Sequence, residues 1–233
     1  MLRVGVGLLL GTSGALMFAA SWQRWAGACS WGDGDSGPCS VRQDHLYDFV
    51  VPTGPWEPVG NAAELAGWSL LVLALAFVAL PWALTGRRPG VFSATALVGV
   101  VLATAAVGVA TLRSGLSGDV VEPFAPYLVG YVWFLVPTVL LGRFAVAARG
   151  WALAAAIWLF LATPFIALTS YAIGPYDARP WWEAAWGVLT ALAGLCLLGA
   201  AAFGARPRRE HPGDAHVPDA AQPSRTISPT GIH

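Results

Sequence analysis

Six apolar runs, each near the length that crosses a bilayer, constrain this chain more than any other feature. They cover about 4–20, 62–84, 91–112, 126–141, 151–171 and 182–203. A crossing helix needs about 20 mostly apolar residues. Lipid offers no partner to backbone N–H and C=O groups, so only helices and closed barrels span it. The runs are too long and too continuous to be the alternating strands of a barrel. The expected fold is therefore all-α: a polytopic membrane protein whose six-transmembrane-helix bundle occupies 1–204. Composition agrees, because hydrophobic residues are 56% and charged residues 11% of the chain. Ordinary soluble domains carry roughly a quarter charged residues.

Charge orients the bundle. All thirteen basic residues are Arg, and basic residues beside helix ends favour the cytoplasm. With the N-terminus inside, nine of the thirteen face inward, including Arg3, Arg87, Arg88, Arg143 and Arg149. Arg24, Arg42, Arg113 and Arg179 remain outside, where most of the carboxylates also lie. The expectation is a plasma-membrane protein, N-in and C-in. Trp and Tyr favour the headgroup level, and Trp22, Trp25, Trp56, Trp68, Tyr127 and Trp182 sit near the proposed outer boundary. Residues 205–233 are rich in Pro, Ser, Asp and Ala. They have too little to bury and are expected to form a disordered cytoplasmic tail.

Arg3 followed by an apolar run is also how a secretory signal begins, and Ala26-Gly27-Ala28-Cys29 resembles a lipoprotein cleavage box. Ser21 to Trp25 separates that box from the apolar run, and cleavage there would leave Cys39 without its obvious partner, so the first helix is expected to be retained. Helix contacts in lipid favour small residues, which points to Gly7 with Gly11, Gly99 with Ala103, and Ala200 with Gly204. Pro137 and Pro164 fall inside the fourth and fifth runs, where each removes a helical hydrogen bond.

Polar chemistry is concentrated in the first outer loop, about 26–61. It holds Cys29 and Cys39, five of the thirteen acidic residues, and His45, the one histidine outside the tail. Cys29 and Cys39 on an oxidising side are expected to pair, closing a short loop for roughly 2–3 kcal/mol. Asp33-Gly34-Asp35-Ser36-Gly37 has the start of a calcium loop but lacks the distal acidic ligand. A polar turn is the simpler reading. In Gln43-Asp44-His45-Leu46-Tyr47-Asp48, a short helix would put Asp44 and Asp48 on one face. His45, oriented by a carboxylate, could then act as a general base, or Asp44, His45 and Asp48 could hold a divalent cation. The alternative is an amphipathic segment lying on the headgroups. Asp33, Asp35, Gln43, Asp44, His45, Tyr47, Asp48, Trp56 and Glu57 form the candidate ligand or partner surface.

Several chemistries are argued against. Gly11-Thr12-Ser13-Gly14 resembles the GxSG of rhomboid-type proteases, yet no membrane-embedded His is present to activate Ser13. One C-x9-C pair is not the reactive CxxC of a disulfide oxidoreductase. No Asp, Glu, Lys or Arg lies near the middle of a run, which weakens ion-coupled transport. No cofactor and no nucleic-acid partner are expected. The leading expectation is a non-catalytic protein that binds a ligand, or a membrane or extracellular protein partner, or supports envelope-complex assembly, through its outer face. The alternatives are an outer-face enzyme built on Asp44, His45 and Asp48, and a facilitator of a small neutral or apolar solute. In the last case Tyr131, Thr138, Thr163 and Thr169 would line the path.

Overall fold

The computed structural model describes residues 1–30, 34, 36–166, 169 and 180–204. The helices are α1 (Leu2–Trp25), α2 (Gly37–Arg42), α3 (Ala62–Thr85), α4 (Val91–Ser117), α5 (Pro126–Ala147), α6 (Trp151–Leu161) and α7 (Trp182–Phe203), with a 3-10 turn at His45–Tyr47. No strand occurs among the described residues. Five helices, α1, α3, α4, α5 and α7, are long and apolar enough to cross a membrane. The fifth expected run is different, because regular helix stops at Leu161 after 11 residues. The 205–233 segment and most of 167–179 lie outside the described residues.

Three helices extend beyond their hydrocarbon-soluble stretches, for local reasons. α1 continues past Ala20 to Trp25 because Arg24, in its last turn, is buried against carboxylates. α4 continues past Leu112 because the buried Ser114 hydroxyl donates to the Ala110 carbonyl at 2.9 Å and accepts from Val121 N–H at 2.9 Å. It ends where Gly118 adopts φ +76°, a left-handed conformation natural to glycine. α5 runs past Leu141 to Ala147, with Pro137 inside it.

The chain direction alternates, which gives the bundle two unlike ends. Arg3 Nε donates to the Ala83 carbonyl at 3.0 Å, tying the start of α1 to the end of α3. At the other end, Asn61 N–H donates to Gln23 Oε1 at 2.9 Å. Arg3, Arg87, Arg88, Arg143 and Arg149 therefore share one end, and every described carboxylate lies at the other.

α1 packs most extensively on α7, then on α3. The α1–α7 contact uses Gly7 and Gly14 against Gly194 and Gly187: a Cβ on Gly194 would come 2.6 Å from the Gly7 carbonyl, and one on Gly187 2.7 Å from that of Gly14. Gly11 shares this contact through its backbone, its N lying 2.8 Å from where a Cβ on Gly194 would stand, although a Cβ on Gly11 itself would meet nothing within 4 Å. The carbonyl contacts, at Gly7 and Gly14, repeat every seven residues, as in left-handed helix packing. α3 and α4 meet at Gly67, Gly108 and Gly115, whereas Gly99 faces α5, where a Cβ would lie 3.5 Å from the Val132 side chain. At mid-bundle the Ser13 hydroxyl donates to the Ser69 carbonyl at 2.9 Å, and Ser69 Oγ returns a bond to the Ser13 carbonyl at 2.8 Å. Ser13 thus holds α1 to α3.

The two proline sites are joined. Before Pro164 the helix breaks at Ala162 and Thr163, because proline's ring clashes with a helical neighbour and has no N–H. The Phe160 carbonyl, left without that donor, accepts from Thr163 N–H at 3.1 Å and from its hydroxyl at 2.8 Å. Thr138, beside Pro137, donates to Thr163 Oγ1 at 2.9 Å.

Candidate functional site

The loop between α1 and α3 folds into a strap across the acidic end. Cys29 and Cys39 are disulfide-bonded, with Cα atoms 4.6 Å apart and both residues buried. They cluster with Trp25, Trp181 and Ala184. Pro38 lies in the first turn of α2, where a missing N–H costs nothing. Gln43 Nε2 donates to the Gly34 carbonyl at 2.7 Å. Phe49 then inserts fully into the bundle core, and Glu57 N–H donates to the Leu46 carbonyl at 2.8 Å. The strap is therefore pinned by sulfur at one end and by an aromatic plug at the other.

Between these pins lies a buried ionic cluster centred on Arg24, which is 1% exposed. Its Nη1 donates to Asp48 Oδ1 at 2.6 Å and to Glu183 Oε1 at 2.9 Å. Glu183 Oε2 accepts from Trp25 Nε1 at 2.8 Å. The guanidinium carbon lies 4.3 Å from the Trp25 ring centroid, and longer contacts of 3.4 Å reach the Arg42 carbonyl. One cation thus joins α1, the strap and α7. A buried charge is stable only when paired and hydrogen-bonded, and Arg24 meets both conditions.

This arrangement settles where the candidate residues stand. Asp44 and Asp48 do not form a pair on one helix face. Asp44 caps the 3-10 turn, its Oδ1 accepting from Leu46 N–H at 2.9 Å. Asp48 lies beyond the turn in extended backbone. Its Oδ2 contacts His45 Nδ1 at 2.9 Å, and His45 itself is 71% exposed. The Arg42 guanidinium covers the Tyr47 ring at 4.6 Å, and Trp56 packs half-buried on the core. Asp33 and Asp35 lie outside the described residues. Among the described residues no three His, Cys, Asp or Glu side chains come together as a metal site.

The open space lies next to the strap rather than under its carboxylates. A cavity of about 580 Å³ sits between α4, α5 and the segments 51–54 and 120–123. Val107, Ala110, Trp133 and Phe134 line it, together with Val51, Tyr127, Gly130 and Tyr131. Val51 has φ +55°, rarely tolerated by a β-branched residue. Such strain persists where surrounding structure imposes it, and it clusters at ligand clamps. Val51 N–H reaches the buried Thr111 hydroxyl at 3.4 Å. Of the residues expected to line a solute path, Tyr131 lines this cavity. Thr163 lines a separate void of about 20 Å³ beside Pro137 and Pro164, and Thr169 bonds to the carbonyls of Phe165 and Ile166. The four do not line one passage.

Sequence reasoning missed Arg24, Glu183 and the cavity. Arg24-Trp25 and Trp182-Glu183, each a charge beside an indole at a helix end, were the available signal for the ion pair. The cavity walls are ordinary apolar residues, and only the tertiary arrangement brings them around one space. Comparison with models of known families, with curated proteins and with solved structures finds no match to this chain.

Proposed function

We propose that this chain is a six-span plasma-membrane protein with both termini cytoplasmic, which binds a small apolar ligand at its outer face. The observation that carries this reading is the cavity of about 580 Å³ beside the strap. Ligand sites are concave, mostly apolar spaces of roughly 300–1,000 Å³ with a few polar groups at defined places. The apolar wall of α4 and α5 and the polar Thr53, Glu122, Tyr127 and Tyr131 fit that description. Arg24 and Phe49 hold the strap without occupying the cavity, so the space remains for a guest. A membrane or extracellular protein partner on 26–61 is the wider form of the same reading.

The test is photolabelling of the purified protein with a hydrocarbon bearing a diazirine. Labelled peptides should map to residues 107–134, and Gly130→Trp should abolish that labelling by filling the space. Labelling spread evenly over the lipid-facing helices, unchanged by Gly130→Trp, would overturn the reading. For orientation, Arg87→Cys should react with an impermeant maleimide in inverted vesicles and not in intact cells.

A second reading, an outer-face enzyme, has the 2.9 Å contact of His45 with Asp48 in its favour. A histidine oriented by a carboxylate is the arrangement of a general base. That reading requires His45→Ala to lose a cellular phenotype that Gly130→Trp retains.

A further inference from the structure

We infer that the guest of the outer cavity is a hydrophobic organic cation of the quaternary ammonium or phosphonium class, an inference that rests on the cavity being a binding site. Four aromatic side chains, Tyr127, Tyr131, Trp133 and Phe134, line it. Aromatic faces attract cations, and cages of such rings are the usual means of recognising quaternary ammonium groups. Two of the rings are fixed from behind. Trp133 packs on Trp186 with centroids 6.1 Å apart, and Phe134 meets Phe165 edge-on at 5.5 Å. Trp133 and Phe134 are thus held in place before any guest arrives, while Tyr127 and Tyr131 stand exposed beside them.

Charge selects the sign of the guest. Among the described residues that line the cavity, Glu122 is the one that carries a charge, and no Arg lines it. Glu122 makes no hydrogen bond or ion pair with another described residue. Arg113 shares an adjoining hollow with Glu122 without pairing to it. An anionic guest would meet a like charge, with hydroxyl groups as its main donors. A neutral hydrocarbon would fill the apolar wall but leave the carboxylate and the ring faces unused. A cation with apolar arms uses all three. The surplus of carboxylates at this end of the bundle also concentrates cations near the mouth.

Tetraphenylphosphonium and tetraphenylborate are nearly the same size and shape and carry opposite charges. Equilibrium binding of each should be measured to the full-length protein in an uncharged maltoside detergent, with empty micelles subtracted. The phosphonium is expected to bind saturably, at least about tenfold tighter than the borate. Glu122→Gln, an exposed substitution, should weaken the phosphonium about tenfold and narrow the difference between the two ions. Gly130→Trp should remove saturable binding, since a side chain there enters open space. Equal binding of the two ions, both lost in Gly130→Trp, would overturn the cation inference while leaving the cavity as a binding site. No saturable binding of either ion, with no hydrocarbon labelling, would remove both. Tight phosphonium binding unchanged by Glu122→Gln and Gly130→Trp would place the site elsewhere and overturn the inference.

Discussion

Around Arg24, charge is met by charge: two carboxylates and an indole N–H share one buried cluster, and Phe49 closes the space beside it. A few residues further along, Val51 to Gly54 cover a volume that no described side chain fills. The two regions share the same end of the bundle and the same loop. The polar one is a joint between α1, α7 and the strap, and the apolar one has room for a guest. Polar residues in an otherwise apolar protein attract attention as a site, yet here most are consumed in holding the structure together. The open space beside them is lined instead mainly by apolar and aromatic side chains.

Arg24→Met is the sharpest way to break this contrast. It leaves Asp48 and Glu183 facing each other without a cation. A fully buried pair broken on one side costs about 3–5 kcal/mol, and the loss here should fall toward the lower end because Asp48 is 31% and Glu183 12% exposed. Denaturant unfolding in detergent should register that loss, and the triple variant with Asp48→Asn and Glu183→Gln should recover much of it. A loss below about 1 kcal/mol would mean that the cluster is open to water.

A glycine pair sharpens the difference between filled and open regions. Gly187→Ala puts a Cβ 2.7 Å from the Gly14 carbonyl, and overpacking of this kind costs about 1–3 kcal/mol. Gly130→Ala meets nothing within 4 Å and should stabilise α5 by about 0.5–1 kcal/mol, because alanine loses less backbone entropy in a helix. The same unfolding measurement reads both, and equal destabilisation would show that α5 is packed as tightly as α1.

The smallest effects belong to the strap's exposed residues. Asp44→Ala removes the cap on Leu46 N–H and should cost about 1 kcal/mol or less. His45→Ala, at an exposed ion pair, should stay within about 0.5 kcal/mol of the parent protein. A larger effect at His45 than at Arg24 would invert the contrast between joint and surface.

Much of the fold is legible in the order of the amino acids. Apolar run length announces the helices, and α3, α4, α5, α6 and α7 start at the residues where the runs begin. The cysteine pair announces its bond, because two thiols in a short Gly- and Pro-rich stretch have few other partners. Helix ends are less legible. The hydrocarbon criterion stops a helix where polar residues begin, whereas Ser114 and Arg24 continue it by finding partners in the fold. The GxxxG spacing finds the face of α1 that meets Gly194 but misses Gly14 and its partner Gly187, since spacing within one helix does not say how far a contact runs along it.

Sequence by itself determined the class of the protein, because a long apolar segment has one way to satisfy its backbone in lipid. It also determined the segregation of Arg from carboxylate along the chain, which becomes two unlike ends as soon as helices alternate. Tertiary structure alone decided which of the polar residues are spent. Arg24 and Glu183 are 159 residues apart, and no local pattern encodes a pairing across that distance. It also decided where space remains, since a cavity is a property of how four segments fail to fill the volume between them.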